Sequence, residues 1–225
     1  MDQALLLNLL EIILINIVLS GDNAVVIALA CRNLPERYKK KAVFFGTLGA
    51  VVLRVLLTFV AVYLLTIPFL NFIGGLLLLW IAVNLLKGEE EEDIKANATL
   101  MAAVRTIIIA DLIMSLDNVV AVAGVANGNV TLIIIGLLIS IPLIIWGSQL
   151  LMKIMEKFPI IIILGAGLLG YTAGEMMLKD QVVGHFLESI LPGLHHIIPF
   201  ALAALVIIVG KLSNRSDKER GLMRG

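Results

Sequence analysis

Apolar residues in this chain come in long unbroken runs, with no single helical stripe and no strict alternation, so each run is hydrophobic on every side. Such runs fit helices surrounded by lipid. Taking about 20 apolar residues as one crossing of a bilayer core, the pattern predicts seven spans, near 5–31, 42–66, 67–86, 99–126, 130–152, 158–178 and 196–212. Short polar connections separate them, from Arg32 to Lys41, Lys87 to Asn97, Asn127 to Asn129, Lys153 to Lys157 and Lys179 to His195. Only the join at Thr66-Ile67-Pro68 is apolar, and there proline marks a helix start because it resists continuing a helix through itself. After the sixth span, Val182, Val183, Phe186, Leu187, Ile190 and Leu191 recur at helical spacing, which predicts a short amphipathic helix.

Two polar strings interrupt these runs. Ser20-Gly21-Asp22-Asn23 sits in the first span, and Ser115-Leu116-Asp117-Asn118 sits in the fourth, each followed by small and branched apolar residues. The likeness extends further, since Gly46 matches Gly136, and Trp80 with Asn84 in the third span matches Tyr171 with Glu175 in the sixth. The repeat unit is therefore three spans, about 5–86 and again about 99–178, with an extra helix at about 196–212. An odd number of crossings inverts the second unit relative to the first. The expected architecture is an all-α polytopic membrane protein of seven transmembrane helices, three plus three inverted repeats and one more. These form a single transmembrane domain over 1–212 followed by a basic cytoplasmic tail at 213–225.

Composition agrees with this and excludes other classes. Hydrophobic residues make up 60% of 225, charged residues only 15%, and basic and acidic residues balance at 17 each, so neither a soluble domain nor a nucleic-acid partner is indicated. The single cysteine, Cys31, excludes an internal disulfide. No basic region precedes the first run, so that run is expected to be retained as a span. With the N-terminus outside, nearly all loop Lys and Arg fall on the cytoplasmic side and only Lys179 falls outside, which predicts N-out and C-in.

The deep polar residues carry the candidate chemistry. At about 1.5 Å per residue, Asp22 and Asp117 lie roughly 6 Å to opposite sides of the midplane, with Asp111 near it. Glu11 and Glu175 lie roughly 10 Å toward the outside, and Arg54 is central in the second span. Five carboxylates beside one deep arginine cannot all stay charged in a low dielectric, so protons or a further cation must neutralise them. Carboxylates, the Asn23 and Asn118 amides and the Ser20 and Ser115 hydroxyls are hard oxygen donors suited to Mn²⁺, Mg²⁺ or Ca²⁺. No span interior holds histidine or cysteine, which weighs against a zinc or copper site. Arg54 is expected to pair with a carboxylate as an internal counter-ion, and Asn84, as the counterpart of Glu175, joins the candidates. Gly21 is expected to weaken the helix beside Asp22, whereas Leu116 in the second copy is not. The bland reading of both strings is hydrogen-bonding between helices.

Leu19 through Ala24, Asp111 with Ser115-Leu116-Asp117-Asn118, and Gly165 through Glu175 together resemble the TerC integral membrane proteins over roughly residues 5–212. The resemblance implies a bacterial inner-membrane protein exporting Mn²⁺, with Asp22, Asn23, Asp117 and Asn118 as the cation-binding core and Asp111 and Glu175 as further ligands. The expected partners are the bilayer, a divalent metal as cargo and protons; no cofactor is expected, and a homo-oligomer is compatible with the chain. Two other readings stand beside this one: a non-transporting membrane factor that helps insert proteins or anchors a stress complex, and a transporter of another cation such as Ca²⁺. An enzyme is not expected, because no nucleophile and base pair is visible.

Overall fold

The computed structural model describes residues 10–11, 13–14, 20–64, 67–87, 96–125, 130–190 and 194–222. All elements among them are helices. In chain order they are α1 Gly21–Cys31, α2 Glu36–Leu64, α3 Leu70–Lys87, α4 Ala96–Val125, α5 Val130–Lys157, α6 Ile160–Leu178, α7 Gln181–Ile190 and α8 Leu194–Leu222. Leu10, Glu11, Ile13 and Leu14 are helical as well.

Among the described residues, five stretches are long and apolar enough to cross a membrane: Glu36–Val60, Leu70–Lys87, Thr99–Leu116, Ile133–Lys157 and Ile160–Leu178. They correspond to the second through sixth expected spans. The first and seventh are represented by the shorter apolar helices Gly21–Cys31 and Ile197–Ser213, most of the remainder of the first lying outside the described residues. Large apolar side chains such as Trp80, Trp146, Phe59 and Phe200 are exposed, which suits contact with lipid. The join after α2 turns through Pro68 and Phe69, whose φ of 63° is a left-handed conformation for a residue with a side chain. The last helix runs to Leu222, past the expected start of the tail at Ser213. The predicted amphipathic segment does form a helix, α7.

The chain divides into two compact units, Met1–Ile67 with Ile94–Ile154, and Pro68–Asp93 with Met155–Gly225. Their boundaries do not follow the expected repeats: each unit takes helices from both halves of the chain. In the first unit α2 packs along α4, and α1 lies against both. The close approach of α2 and α4 depends on Gly46, where a Cβ would sit 2.7 Å from Ile107 Cδ1. Its expected repeat counterpart, Gly136, is also buried in this unit.

The second unit is built on α3, α6 and α8, with α7 attached. Small residues set its spacing, as helix contacts in lipid rely on close packing more than on the hydrophobic effect. Gly74, Gly75, Gly165, Gly167 and Gly170 are all buried. At Gly174 an added Cβ would stand 2.6 Å from Pro199 Cα on α8, backbone that cannot swing aside. Asp180 is the buried carboxylate among the described residues of this unit, at 4% exposure. It accepts from the Val182 and Val183 amides at 3.1 and 3.2 Å and from the Phe72 amide at 3.3 Å, so one side chain caps the first turns of both α7 and α3.

Candidate functional site

The first unit encloses a small cavity lined by one face from each of four helices. Asn23, Val26 and Ile27 come from α1; Thr47, Ala50, Val51 and Arg54 from α2; Ile107 and Asp111 from α4; and Leu137, Ser140 and Ile144 from α5. Each set recurs at three- and four-residue spacing, the signature of a single helix face. The free room inside is about 10 Å³, the scale of one water or one bare ion.

Arg54 and Asp111 form the charged wall of the cavity and are 4% and 8% exposed. Arg54 Nη2 donates to Asp111 Oδ1 at 2.5 Å, and Arg54 Nε donates to Ser115 Oγ at 2.8 Å. The Ser115 hydroxyl in turn donates to Asp111 Oδ2 at 3.1 Å. The three side chains close a ring in which both carboxylate oxygens are engaged. Asp111 and Ser115 meet because they are one helical turn apart on α4, and Arg54 reaches them across the α2–α4 contact. Ser140, opposite, gives its hydroxyl to the Gly136 carbonyl one turn back, at 2.9 Å.

The remaining polar lining is unsatisfied. Asn23 is 3% exposed and neither its amide oxygen nor its amide nitrogen has a hydrogen-bond partner; the Thr47 hydroxyl, in a residue 2% exposed, has none either. Ser20, just before α1 and 4% exposed, likewise has a partnerless hydroxyl. Each such group costs about 1–3 kcal/mol relative to a paired one. Asp22 is half-buried in the first turn of α1, where its Oδ1 accepts from the backbone N–H of Asn23 at 2.9 Å, and it lies within electrostatic reach of both Arg54 and Asp111. The helix N-terminus there favours a negative charge.

α1 begins at Gly21, with Ser20 outside the helix at φ −105° and ψ 2°. A Cβ on Gly21 would meet nothing within 4 Å, so the glycine is not needed for packing. The second string lies inside α4, which continues without a break to Val125.

The structure thus gathers Asn23, Arg54 and Asp111 around one space, with Ser115 bonded to the charged pair and Asp22 nearby. Asn118 is half-buried and engaged in its own interactions on α4. The Asp117 side chain lies outside the described residues. Glu11 is exposed, and Asn84 and Glu175 belong to the second unit, where both are exposed and Glu175 neighbours Tyr171. Among the described residues no three or more of His, Cys, Asp and Glu come together as a metal cage. The donors at the cavity are instead amide, hydroxyl and a few carboxylate oxygens, which fit a hard cation better than a soft one. Sequence reasoning missed Thr47 and Ser140. Thr47 stands seven residues before Arg54, two turns along the same face, so following that face from the deep arginine would have found it.

Comparison with known proteins sets this chain beside membrane proteins of bacteria. The profile of the integral membrane protein TerC family matches residues 1–218. The uncharacterized membrane protein YjbE of Bacillus subtilis is 47% identical over 199 residues, covering 85% of this chain and 91% of that one. YceF of the same organism, also an uncharacterized membrane protein, is 27% identical over 63% of this chain and 59% of its own length. The UPF0053 protein YegH of Escherichia coli is 27% identical over 72% of this chain, which corresponds to 35% of that longer protein. No solved structure matches the chain.

Proposed function

We propose that this chain, which belongs to the TerC family of integral membrane proteins, exports a hard divalent cation, with Mn²⁺ favoured, from the bacterial cytoplasm. Protons move the other way. The observation that carries this reading is the Asn23 amide, buried with both polar atoms unpaired beside the Arg54–Asp111 pair in a cavity sized for one ion. A protein gains nothing in stability from such a group, so the natural use is a ligand that arrives and leaves. Supporting it are the recurrence of Ser-x-Asp-Asn on α4 and an all-oxygen donor set. In this mechanism the cation is received by Asp22, Asn23, Asp111 and Thr47 on one side and by Asp117 and Asn118 after inverted repeats exchange access. The N-terminus lies outside and the C-terminus in the cytoplasm.

The test is flux in proteoliposomes. Purified protein should move Mn²⁺ when a proton gradient is imposed, and an Asp22→Asn/Asp117→Asn double variant, folded to the same melting temperature, should lose at least nine-tenths of that flux. Wild-type vesicles that move no divalent cation, or a double variant that moves it normally, would leave the reading without support.

A further inference from the structure

The Arg54–Asp111–Ser115 ring raises a difficulty for any cation that uses this cavity, and the difficulty points to how the site works. Asp111 is the buried carboxylate of the lining, yet Oδ1 is held by Arg54 Nη2 and Oδ2 by the Ser115 hydroxyl. Its charge is fully matched by the guanidinium, minus one against plus one. A guanidinium does not deprotonate in proteins, so the positive charge cannot be removed in place. The open donors of the lining, Asn23 and Thr47, are neutral, and Asp22 stands beside the lining and not in it, so these atoms alone would not draw a divalent ion onto Asp111. In the geometry seen here the cavity has the polar shell of a cation site with its positive charge already supplied by the protein.

We propose that Arg54 is a tethered stand-in for the transported cation: it occupies Asp111 when the site is empty, and the cation binds by displacing the guanidinium from Asp111 and Ser115. This rests on the transport reading above. The guanidinium spares the membrane interior a bare carboxylate when no ion is bound, and when a divalent ion takes Asp111 the displaced guanidinium can turn to the Asp22 carboxylate, which lies within electrostatic reach of Arg54. The exchange also accounts for the split among the lining atoms. Those the guanidinium reaches are bonded, and those on α1 and two turns away along the same face of α2, Asn23 and Thr47, wait unpaired. The long, flexible arginine stem makes such a displacement feasible.

A purely structural ion pair and a stand-in cation predict opposite effects of removing the arginine. Mn²⁺ binding to full-length protein in detergent is measured by titration calorimetry for wild type, Arg54→Gln, Arg54→Lys and Arg54→Gln/Asp111→Asn, with flux measured in vesicles. The expected result is that Arg54→Gln binds Mn²⁺ at least tenfold more tightly than wild type while its flux falls, because the ion no longer has a competitor to drive it off. Arg54→Lys, which keeps the charge but loses the two-point hold, tightens binding by a smaller factor and serves if the glutamine variant does not fold. The double variant, lacking both charges, shows no gain. Wild type that binds Mn²⁺ while both single variants bind it equally or more weakly overturns the stand-in role and leaves the transport reading intact. Absence of Mn²⁺ binding and flux in every variant, wild type included, overturns both.

Discussion

The two Ser-x-Asp-Asn strings are close in sequence and opposite in circumstance. In the second copy, Ser115 sits inside an unbroken helix, 0% exposed, and its hydroxyl both accepts from Arg54 and donates to Asp111. In the first copy, Ser20 stands just outside a helix start, 4% exposed, and its hydroxyl has no partner, like the Asn23 amide three residues on. One string is tied into a charged ring by a neighbour it does not itself encode. The other is left open. The difference teaches that a repeated motif supplies the same donor set twice, while the surrounding helix faces decide whether those donors are bonded into the fold or left unpaired.

The sharpest way to break this contrast is at the satisfied end. Asp111→Ala leaves the Arg54 guanidinium buried without its carboxylate, and the expected loss is about 3–5 kcal/mol of stability, measured as a fall in melting temperature or in folded yield. Arg54→Met/Asp111→Leu, which removes both charges and keeps the volume, should recover most of that stability. Failure to recover it would mean that the ring is more than a charge pair.

Next come the two serines, which should part company. Ser115→Ala strips partners from both Arg54 Nε and Asp111 Oδ2 and is expected to cost about 1–3 kcal/mol. Ser20→Ala removes only a buried hydroxyl that bonds to nothing, so stability should stay level or rise. Equal losses at both positions in chemical denaturation would erase the distinction.

Asn23→Leu gives a smaller, signed effect. Replacing an unpaired buried amide with an apolar side chain of similar size should leave the protein as stable or more stable by about 1 kcal/mol, while Mn²⁺ flux falls. Gly21→Ala is smaller still. Nothing lies within 4 Å of the new methyl group, so a gain of up to about 1 kcal/mol from helix propensity is expected, with flux unchanged. A large loss of flux there would restore to Gly21 the role of softening the helix beside Asp22.

Much of the fold was legible because lipid-facing helices advertise themselves locally. Runs such as 67–86 and 158–178 needed only hydropathy and a proline, and they appear as Leu70–Lys87 and Ile160–Leu178. Arg54 and Asp111 stood out for the same reason, since charge in an apolar run is conspicuous wherever it points. Thr47, Ser140 and Asp180 did not. A lone hydroxyl in an apolar run is commonplace, and Asp180 read as part of a polar loop although it caps two helices at once. Their roles depend on which helix face or chain start lies opposite, and that information is spread over residues far apart in the chain.

Sequence alone determined that the chain is built of membrane helices, that it carries two copies of one polar string, and that carboxylate, amide and hydroxyl side chains lie within its apolar runs. These follow from residue type and spacing along one segment, which the free energy of transfer into lipid makes readable. Tertiary structure decided which carboxylate Arg54 takes, that Ser115 is spent and Ser20 is not, and that Asn23 faces a small cavity of about 10 Å³. The reason is physical: the cost of a buried polar atom is set by whether a partner lies within about 3 Å of it, and only the packing of separate helices fixes that distance.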